Sequence, residues 1–216
     1  MAMMRRQTTG CQQRNHATGR CWRLLLALMI VAIAPAGRAN AAPYVFDRDH
    51  TSITFSWNHL GLSRQAGRLL DHEGTLEFDP AEPEKSNVDV TLRPSSIWTG
   101  VAALDKHLKS ADFFDIGRFP AITFKSTAVK KTGERTGEVT GDLTILGTTK
   151  PVTLQVTWNF TGEHPLAKLN PAYREKLVSG FSATARLLRS EWGMKRGMPL
   201  ISDEIIVTIE TELFRK

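Results

Sequence analysis

Strict alternation of apolar and polar side chains, maintained over most of the chain beyond Pro43, constrains the fold more than any other feature of the sequence. Residues 50–60 and 152–160 show it most clearly. A period of two predicts β-strands that have one buried face and one solvated face. The short turns between such segments predict antiparallel pairing.

Eight or nine segments of this kind follow one another without an internal repeat or a linker. A sheet of that size tends to close, because closure removes its exposed edges. We therefore predict an all-β chain with a single domain over residues 42–216, folded as an antiparallel eight-stranded barrel. A two-sheet sandwich is the alternative.

One stretch, residues 95–126, breaks the alternation. Val101, Leu104 and Leu108 recur at helical spacing, which predicts one short helix. Three aromatic residues follow it, namely Phe113, Phe114 and Phe119. In a closed β structure such an insertion can cover an open end, so we expect the helix to lie near the mouth of the barrel.

A barrel of about eight strands is either filled by its own side chains or holds one small ligand. Close packing of protein interiors makes a filled core the default. The predicted lid favours a cavity, and so does the mixture of large and small residues on the inward face. That face comprises Phe55, Trp57, Phe124, Trp158, Phe160 and Phe181 together with Ala128, Gly141, Ala183 and Ala185. A ligand of such a cavity would be long and apolar, with one or two polar groups fixing its head.

The N-terminal segment has the pattern of a secretory signal. Arginines precede a short apolar run at residues 24–34, and Ala39, Asn40 and Ala41 form a small-x-small cleavage site. Because spanning a bilayer takes about 20 apolar residues, we predict that residues 1–41 are removed. The protein would then be periplasmic or secreted, without a stable membrane anchor. A retained anchor is the alternative.

The charge distribution argues against nucleic-acid binding, and the position of the cysteines argues against thiolate chemistry. Six of the 28 Lys and Arg residues precede residue 42, and the remaining 22 match the 22 acidic residues. The formal charge of +6 therefore does not indicate a nucleic-acid partner. Cys11 and Cys21 also lie in the predicted signal, so the mature chain would have no thiolate nucleophile or ligand.

Catalytic and metal-binding patterns are absent from the sequence. It contains no His-Glu-x-x-His, no Gly-x-Ser-x-Gly and no phosphate-binding or dinucleotide fingerprint. We predict a non-enzymatic protein without a metal or an obligatory cofactor. A hydrolase that acts on a lipid, with His59 or His107 as its base, is the less favoured alternative. A second alternative is a structural or stress-related barrel that has a filled core and acts through its surface.

Many short motifs occur in a family-specific order along the mature chain. They lie at residues 50–55, 59–61, 67, 74–76, 96–100, 105–108, 112–115, 119–126, 141–144, 147, 150–152, 180–181, 189–190 and 193. With these motifs the chain resembles the YceI-like family of periplasmic polyisoprenoid-binding proteins. One departure is Leu104, where the family usually has an arginine.

The resemblance implies a lipocalin-like barrel with the helix beside its mouth, secretion, and no catalysis. It also implies a long-chain apolar ligand in the barrel, such as a polyisoprenoid, an isoprenoid quinone or a fatty-acid-like lipid. The sequence leaves open whether the protein forms a homodimer. We expect His59, Asp105 and His107 near the mouth. The full set of expected ligand contacts is Ile53, Phe55, Trp57, His59, Trp98, Asp105, His107, Leu108, Phe113, Phe114, Phe124, Trp158 and Phe181.

Overall fold

A computed structural model of the protein describes residues 41–216. The predicted secretory signal, residues 1–41, lies outside this range except for Ala41. The described chain forms eleven strands and one α-helix. They are β1 (Ala42–Phe46), β2 (Ser52–His59), β3 (Ser63–Leu69), β4 (His72–Phe78), β5 (Asn87–Leu92), β6 (Ile97–Trp98), α1 (Ala102–Lys109), β7 (Ile122–Lys131), β8 (Thr136–Ile145), β9 (Thr148–Glu163), β10 (Leu177–Leu188) and β11 (Ile201–Arg215).

These strands form a closed antiparallel barrel of eight staves. Three staves are interrupted: β1 and β2 form one, β3 and β4 the next, and β5 and β6 the third. The pairing demonstrates this, because β1 pairs with β4 while β2 pairs with β3, and β5 pairs with β4 while β6 pairs with β3. The last strand, β11, pairs with β10 and also with β1 and β2, which closes the barrel. The predicted eight-stranded barrel with one helix is confirmed, and a sandwich is excluded.

The third and fourth strands form one stave with an interruption. β3 begins at Ser63, and its whole length pairs with β2. The interruption lies at Leu70 and Asp71, whose amides donate to Ser96 Oγ at 3.1 and 2.9 Å. Gly74 allows the close approach of β5, since a Cβ there would lie 2.3 Å from the carbonyl oxygen of Asp89.

A β-bulge between Ser126 and Ala128 corrects the predicted faces of β7. The bulge shifts the register with β8 and reverses the alternation beyond it. Ala128, expected inward, is therefore exposed, and Val129 faces the interior instead. Phe160, also expected inward, is exposed near the end of β9.

The two ends of the barrel are built differently. The helix end carries α1, the turn between β2 and β3, and the loop 189–200. The hairpin end carries the β7–β8 turn and the long β9–β10 connection, residues 164–176. Asp105 attaches α1 to the barrel, because its carboxylate accepts hydrogen bonds from the amide and the hydroxyl of Thr99, both at 2.7 Å.

The buried apolar residues form three separate clusters. Two lie toward the helix end and share the partly buried Leu92, Phe114 and Val207. The third, built on Tyr44 and Phe78, lies toward the hairpin end. A filled domain normally has one contiguous core, so the division into three indicates that another feature occupies the middle.

Across residues 41–216, no helix combines the length and the apolar character that a bilayer crossing requires.

Candidate functional site

A tunnel of about 760 Å³ occupies the interior of the barrel. Its wall is almost entirely apolar, and polar residues are concentrated toward its ends. The helix end contributes His59, Gln65, His107 and Arg196, and the hairpin end contributes Lys130, Lys131, Glu134 and Arg135. The volume lies within the range of ligand sites, roughly 300 to 1,000 Å³.

Inward-facing aliphatic residues indicate that the interior is hollow. The alternation of strands β5, β9 and β11 points Val88, Val90, Leu154, Val156 and Val207 to the inside. Each is only half-buried, although the closed sheet separates it from the outer surface. In a filled core such residues would be fully covered by their neighbours. Their remaining exposure is therefore exposure to the tunnel.

Aromatic side chains form the wall near the helix end. The ring of Phe55 stacks on Trp57 with centroids 5.8 Å apart, and it meets Phe114 edge-on at 6.4 Å. Gly67 on β3 makes room for this group, since a Cβ there would lie 2.6 Å from Phe55 Cζ. Phe114 belongs to the loop after α1, so the predicted aromatic loop does close onto the barrel wall.

The wall toward the hairpin end is aromatic too. Phe78 meets Trp158 and Phe181 edge-on, with ring centroids 5.3 and 5.2 Å apart. The guanidinium of Arg135 lies 5.7 Å from the Trp158 ring, a cation–π contact. Trp158 and Phe181 are register partners on β9 and β10, so the sheet itself sets their approach.

Arg189 anchors the loop that borders the tunnel at the helix end. Its guanidinium is buried and donates to the carbonyls of Ser202 (2.9 Å), Met194 (2.8 Å) and Ile201 (3.0 Å). Burial lowers the pKa of Arg189, and the charge of Asp203 partly offsets this effect. Arg189 was noted in the sequence only as part of a motif, because an irregular loop and the start of β11 supply its partners.

All but two of the expected ligand contacts lie in the tunnel wall. These are Ile53, Phe55, Trp57, His59, His107, Leu108, Phe113, Phe114, Phe124, Trp158 and Phe181. Trp98 lies outside this wall, since its side chain is half exposed and the preceding residue, Ile97, is buried. Asp105 also lies outside it, and its carboxylate is used to position α1. Contact between the wall residues and a ligand stays a prediction.

His107 has an acidic partner at the helix end. Its Nε2 lies 3.0 Å from Asp112 Oδ2, and its ring meets Phe113 edge-on at 5.0 Å. The hydrogen bond with His107 lowers the pKa of Asp112. Among residues 41–216 no serine hydroxyl is hydrogen-bonded to a histidine ring, and Ser110 Oγ donates to the backbone carbonyl of His107 rather than to its imidazole.

His72 is a wall residue that the sequence reasoning missed. It is 3% exposed, and neither ring nitrogen has a hydrogen-bond partner in the described chain. Burial lowers the pKa of His72, helped by the charge of Arg48, while Asp71 and the Leu70 backbone act in the opposite direction. The alternation of β4 could have identified it, because His72 shares the inward face with Leu76 and Phe78.

Asp47, His50 and Glu212 form the one grouping in residues 41–216 whose side chains lie close enough together to share a metal ion. Their potential ligand atoms lie within 4.8 Å of one another. His50 Nδ1 is 2.7 Å from Asp47 Oδ2, and this hydrogen bond raises the pKa of His50. The sequence predicted no metal site, because residues 50 and 212 meet only through the closure of the barrel.

Comparison with known proteins identifies the family. The model of the YceI-like domain matches residues 44–213, nearly the whole described chain. The chain belongs to the YceI-like family. A relative from Pseudomonas savastanoi, named UPF0312 protein, is 42% identical over 166 residues, which cover 76% of this chain and 82% of the relative.

Solved structures of YceI-like proteins have the same fold. The Campylobacter jejuni YceI protein matches with a TM-score of 0.65 and 29% identity, covering 74% of this chain and 90% of that one. A domain from Saccharophagus degradans, described as polyisoprenoid-binding, matches with a TM-score of 0.59 over 82% of this chain and 99% of its own. At 10% identity this second likeness shows the fold alone.

Leu104, where the family resemblance in the sequence led us to expect an arginine, lies in the tunnel wall. It packs against the cluster that contains Phe55 and Leu108. The helix end therefore has an apolar residue at this position of the wall.

Proposed function

We propose that this YceI-like protein is a periplasmic or secreted carrier that holds a long-chain isoprenoid, or a similar lipid, inside its barrel. The observation that carries the proposal is the apolar tunnel of about 760 Å³. The polyisoprenoid-binding description of the Saccharophagus degradans domain supports the ligand class. The signal-like segment at residues 1–41 supports the location.

The size of the tunnel suits a chain of roughly 25 carbon-sized groups. This estimate divides the volume of about 760 Å³ by roughly 30 Å³ for each group of the size of a water molecule. A twenty-carbon prenyl chain would fit. An isoprenoid quinone or a fatty-acid-like lipid of similar length is compatible with the same wall.

Burial alone would hold such a chain. At about 0.8 kcal/mol for each buried carbon group, twenty groups contribute roughly 16 kcal/mol before association costs. Losses of translational and rotational freedom reduce this by at least several kcal/mol. Strong binding therefore needs few polar contacts, in keeping with a wall whose polar residues lie mostly at the ends.

Native mass spectrometry of the purified protein, combined with organic extraction, tests the proposal. We expect an added mass that disappears on extraction and returns when geranylgeraniol, a twenty-carbon prenyl alcohol, is supplied. Protein that emerges empty and takes up no geranylgeraniol in excess would contradict it. That result would favour a structural barrel acting through its surface.

A further inference from the structure

The tunnel wall carries an energetic defect at His72. A buried donor or acceptor without a partner destabilises the fold, and both nitrogens of His72 are in that condition within the described chain. A phenylalanine of similar shape would avoid the cost. Buried unsatisfied groups are rare enough in native proteins that each calls for an explanation.

No hydrogen bond of normal geometry reaches either ring nitrogen within the described chain, although the Leu70 backbone is close enough to oppose the lowering of the His72 pKa. Thr51 and Thr211 lie where the first stave is interrupted, and their hydroxyls bond to each other at 2.8 Å. Phe46 meets the His72 ring edge-on at 6.1 Å and offers no hydrogen bond. His72 therefore keeps unused hydrogen-bonding capacity just behind an otherwise apolar part of the tunnel surface, and its ring has to turn toward the tunnel before a ligand can reach a nitrogen.

We propose that His72 binds a neutral oxygen-bearing group, a hydroxyl or a carbonyl, on the long apolar ligand. This inference rests on the proposed carrier function and narrows its ligand class. A neutral imidazole offers one N–H donor and one acceptor nitrogen, which match a hydroxyl or a carbonyl. Burial keeps the ring neutral by lowering its pKa, so an anionic head would not find a compensating charge there. Isoprenoid alcohols, phenols and quinones fit, and pure hydrocarbons do not.

A ratio of two affinities tests the proposal. The dissociation constants of geranylgeraniol and of the hydrocarbon with the same carbon skeleton are measured for the wild type and for His72→Phe. We expect the wild type to prefer the alcohol by about tenfold, equivalent to about 1.4 kcal/mol, and the variant to lose that preference. Its hydrocarbon affinity should remain, because the tunnel stays apolar.

The possible results separate this inference from the function on which it rests. An equal alcohol preference in both proteins would overturn the role of His72 and would indicate that it binds only a buried water. If the wild type binds neither compound, the carrier function itself fails. Urea denaturation confirms that His72→Phe is folded, and we expect the variant to be at least as stable as the wild type.

A second inference comes from the outer surface of the helix end. Leu60, Leu62, Met198 and Leu200 project from two adjacent segments, and Leu62 and Leu200 are 82% and 67% exposed. We refer to these four residues as the apolar rim. The amide of Leu60 donates to the carbonyl of Leu200 at 2.9 Å, which joins the two segments.

Basic residues outnumber acidic ones around the apolar rim, although Asp112 Oδ2 lies 3.8 Å from Arg196 Nε. Segments 59–66 and 193–202 contain Arg64, Lys195 and Arg196 and no Asp or Glu. Exposed leucines beside cations are the composition of surfaces that enter the interface of anionic membranes. The same segments supply the tunnel residues His59, Gln65 and Arg196, so the rim is continuous with the end of the tunnel.

We infer that the apolar rim docks on the surface of an anionic bilayer. There the leucines would enter the headgroup region, and the negative surface potential of the bilayer would attract the cations. Docking at this end would let a lipid chain pass between the bilayer and the tunnel without crossing water.

Sedimentation with lipid vesicles tests the docking. Vesicles of phosphatidylcholine, with and without phosphatidylglycerol, are mixed with the wild type, with the rim variant Leu62→Ser/Leu200→Ser, and with Leu169→Ser. Leu169 is 80% exposed but lies at the hairpin end, which makes it a matched control. We expect the wild type and the control to bind the anionic vesicles, and the rim variant to lose at least tenfold in bound fraction.

Two results would overturn the docking inference. One is equal binding by the rim variant and the wild type, or an equal loss in the Leu169→Ser control. The other is a wild-type dimer, seen by light scattering, that the rim variant abolishes while neither protein binds vesicles. In that case the rim would be an interface between two copies of the chain.

Discussion

Replacing Ala183 with phenylalanine distinguishes a hollow barrel from a filled one by the sign of its effect. Ala183 lies on β10 between its register partners Val156 and Ile209, and all three face the tunnel. In a filled core the added ring would overpack the interior and cost about 1 to 3 kcal/mol. In a hollow barrel the ring enters free space and becomes buried, so stability should stay equal or rise.

The same change should weaken ligand binding strongly. The phenyl ring adds six carbons to the tunnel and displaces between three and six groups of the ligand chain. At about 0.8 kcal/mol for each group, the loss is roughly 2.4 to 5 kcal/mol, or about 50-fold to several-thousand-fold in affinity. A single variant thus couples unchanged stability to lost binding, a combination that a filled core does not produce.

Two measurements on delipidated protein check this prediction. Urea denaturation gives the free energy of unfolding, and displacement of the fluorescent probe N-phenyl-1-naphthylamine by geranylgeraniol gives the affinity. Ala128→Phe is the matched control, because Ala128 is exposed on the outside of the same barrel. A loss of 1 to 3 kcal/mol in Ala183→Phe but not in Ala128→Phe would refute a hollow interior.

Four further substitutions test other parts of the structure. Arg189→Met should cost about 2 to 5 kcal/mol in urea denaturation, because three carbonyls lose a buried charged donor; an unchanged midpoint would show that they find other donors. Gly74→Ala should destabilise by at least about 1 kcal/mol, since its Cβ would lie 2.3 Å from the Asp89 carbonyl oxygen, and wild-type stability would contradict that close approach. Phe124→Ala should cost about 1 to 2 kcal/mol, less than the 3 to 5 expected in a filled core, because Phe124 is only half-buried beside the tunnel. Burial places the pKa of His72 below its ordinary 6.5 despite the neighbouring Asp71. Just below pH 6.5 the unfolded chain therefore binds more protons than the folded chain. Wild-type stability should therefore fall as the pH drops from 6.5 toward the folded pKa, by up to about 1.4 kcal/mol per pH unit. His72→Phe should lack this loss, and parallel pH profiles of the two proteins would contradict it.

Alternation was sufficient to predict the barrel and most of its inner wall. On β2 the side chains Ile53, Phe55 and Trp57 face inward as expected, because a regular strand paired on both sides keeps its period of two. The helix could be predicted for the complementary reason, since its period differs from that of every neighbouring segment.

The pairing register of the strands, and hydrogen bonds between residues that are not adjacent in sequence, could not be predicted from alternation. The bulge that exposes Ala128 depends on how β7 pairs with β8, and no local signal marks it. The inward residue of β6 is Ile97 rather than Trp98, a choice set by pairing with β3. The role of Arg189 depends on how the irregular connection between β10 and β11 folds back, because its acceptors are carbonyls of Met194, Ile201 and Ser202.

The electron density inside the barrel, in crystals grown with geranylgeraniol, tests the hollow interior most directly. A carrier predicts continuous density for an extended chain along the tunnel between Phe55 and Phe181, with its oxygen near His72. Side chains from opposite strands in mutual contact, with no space between them and no density for a chain, would contradict it.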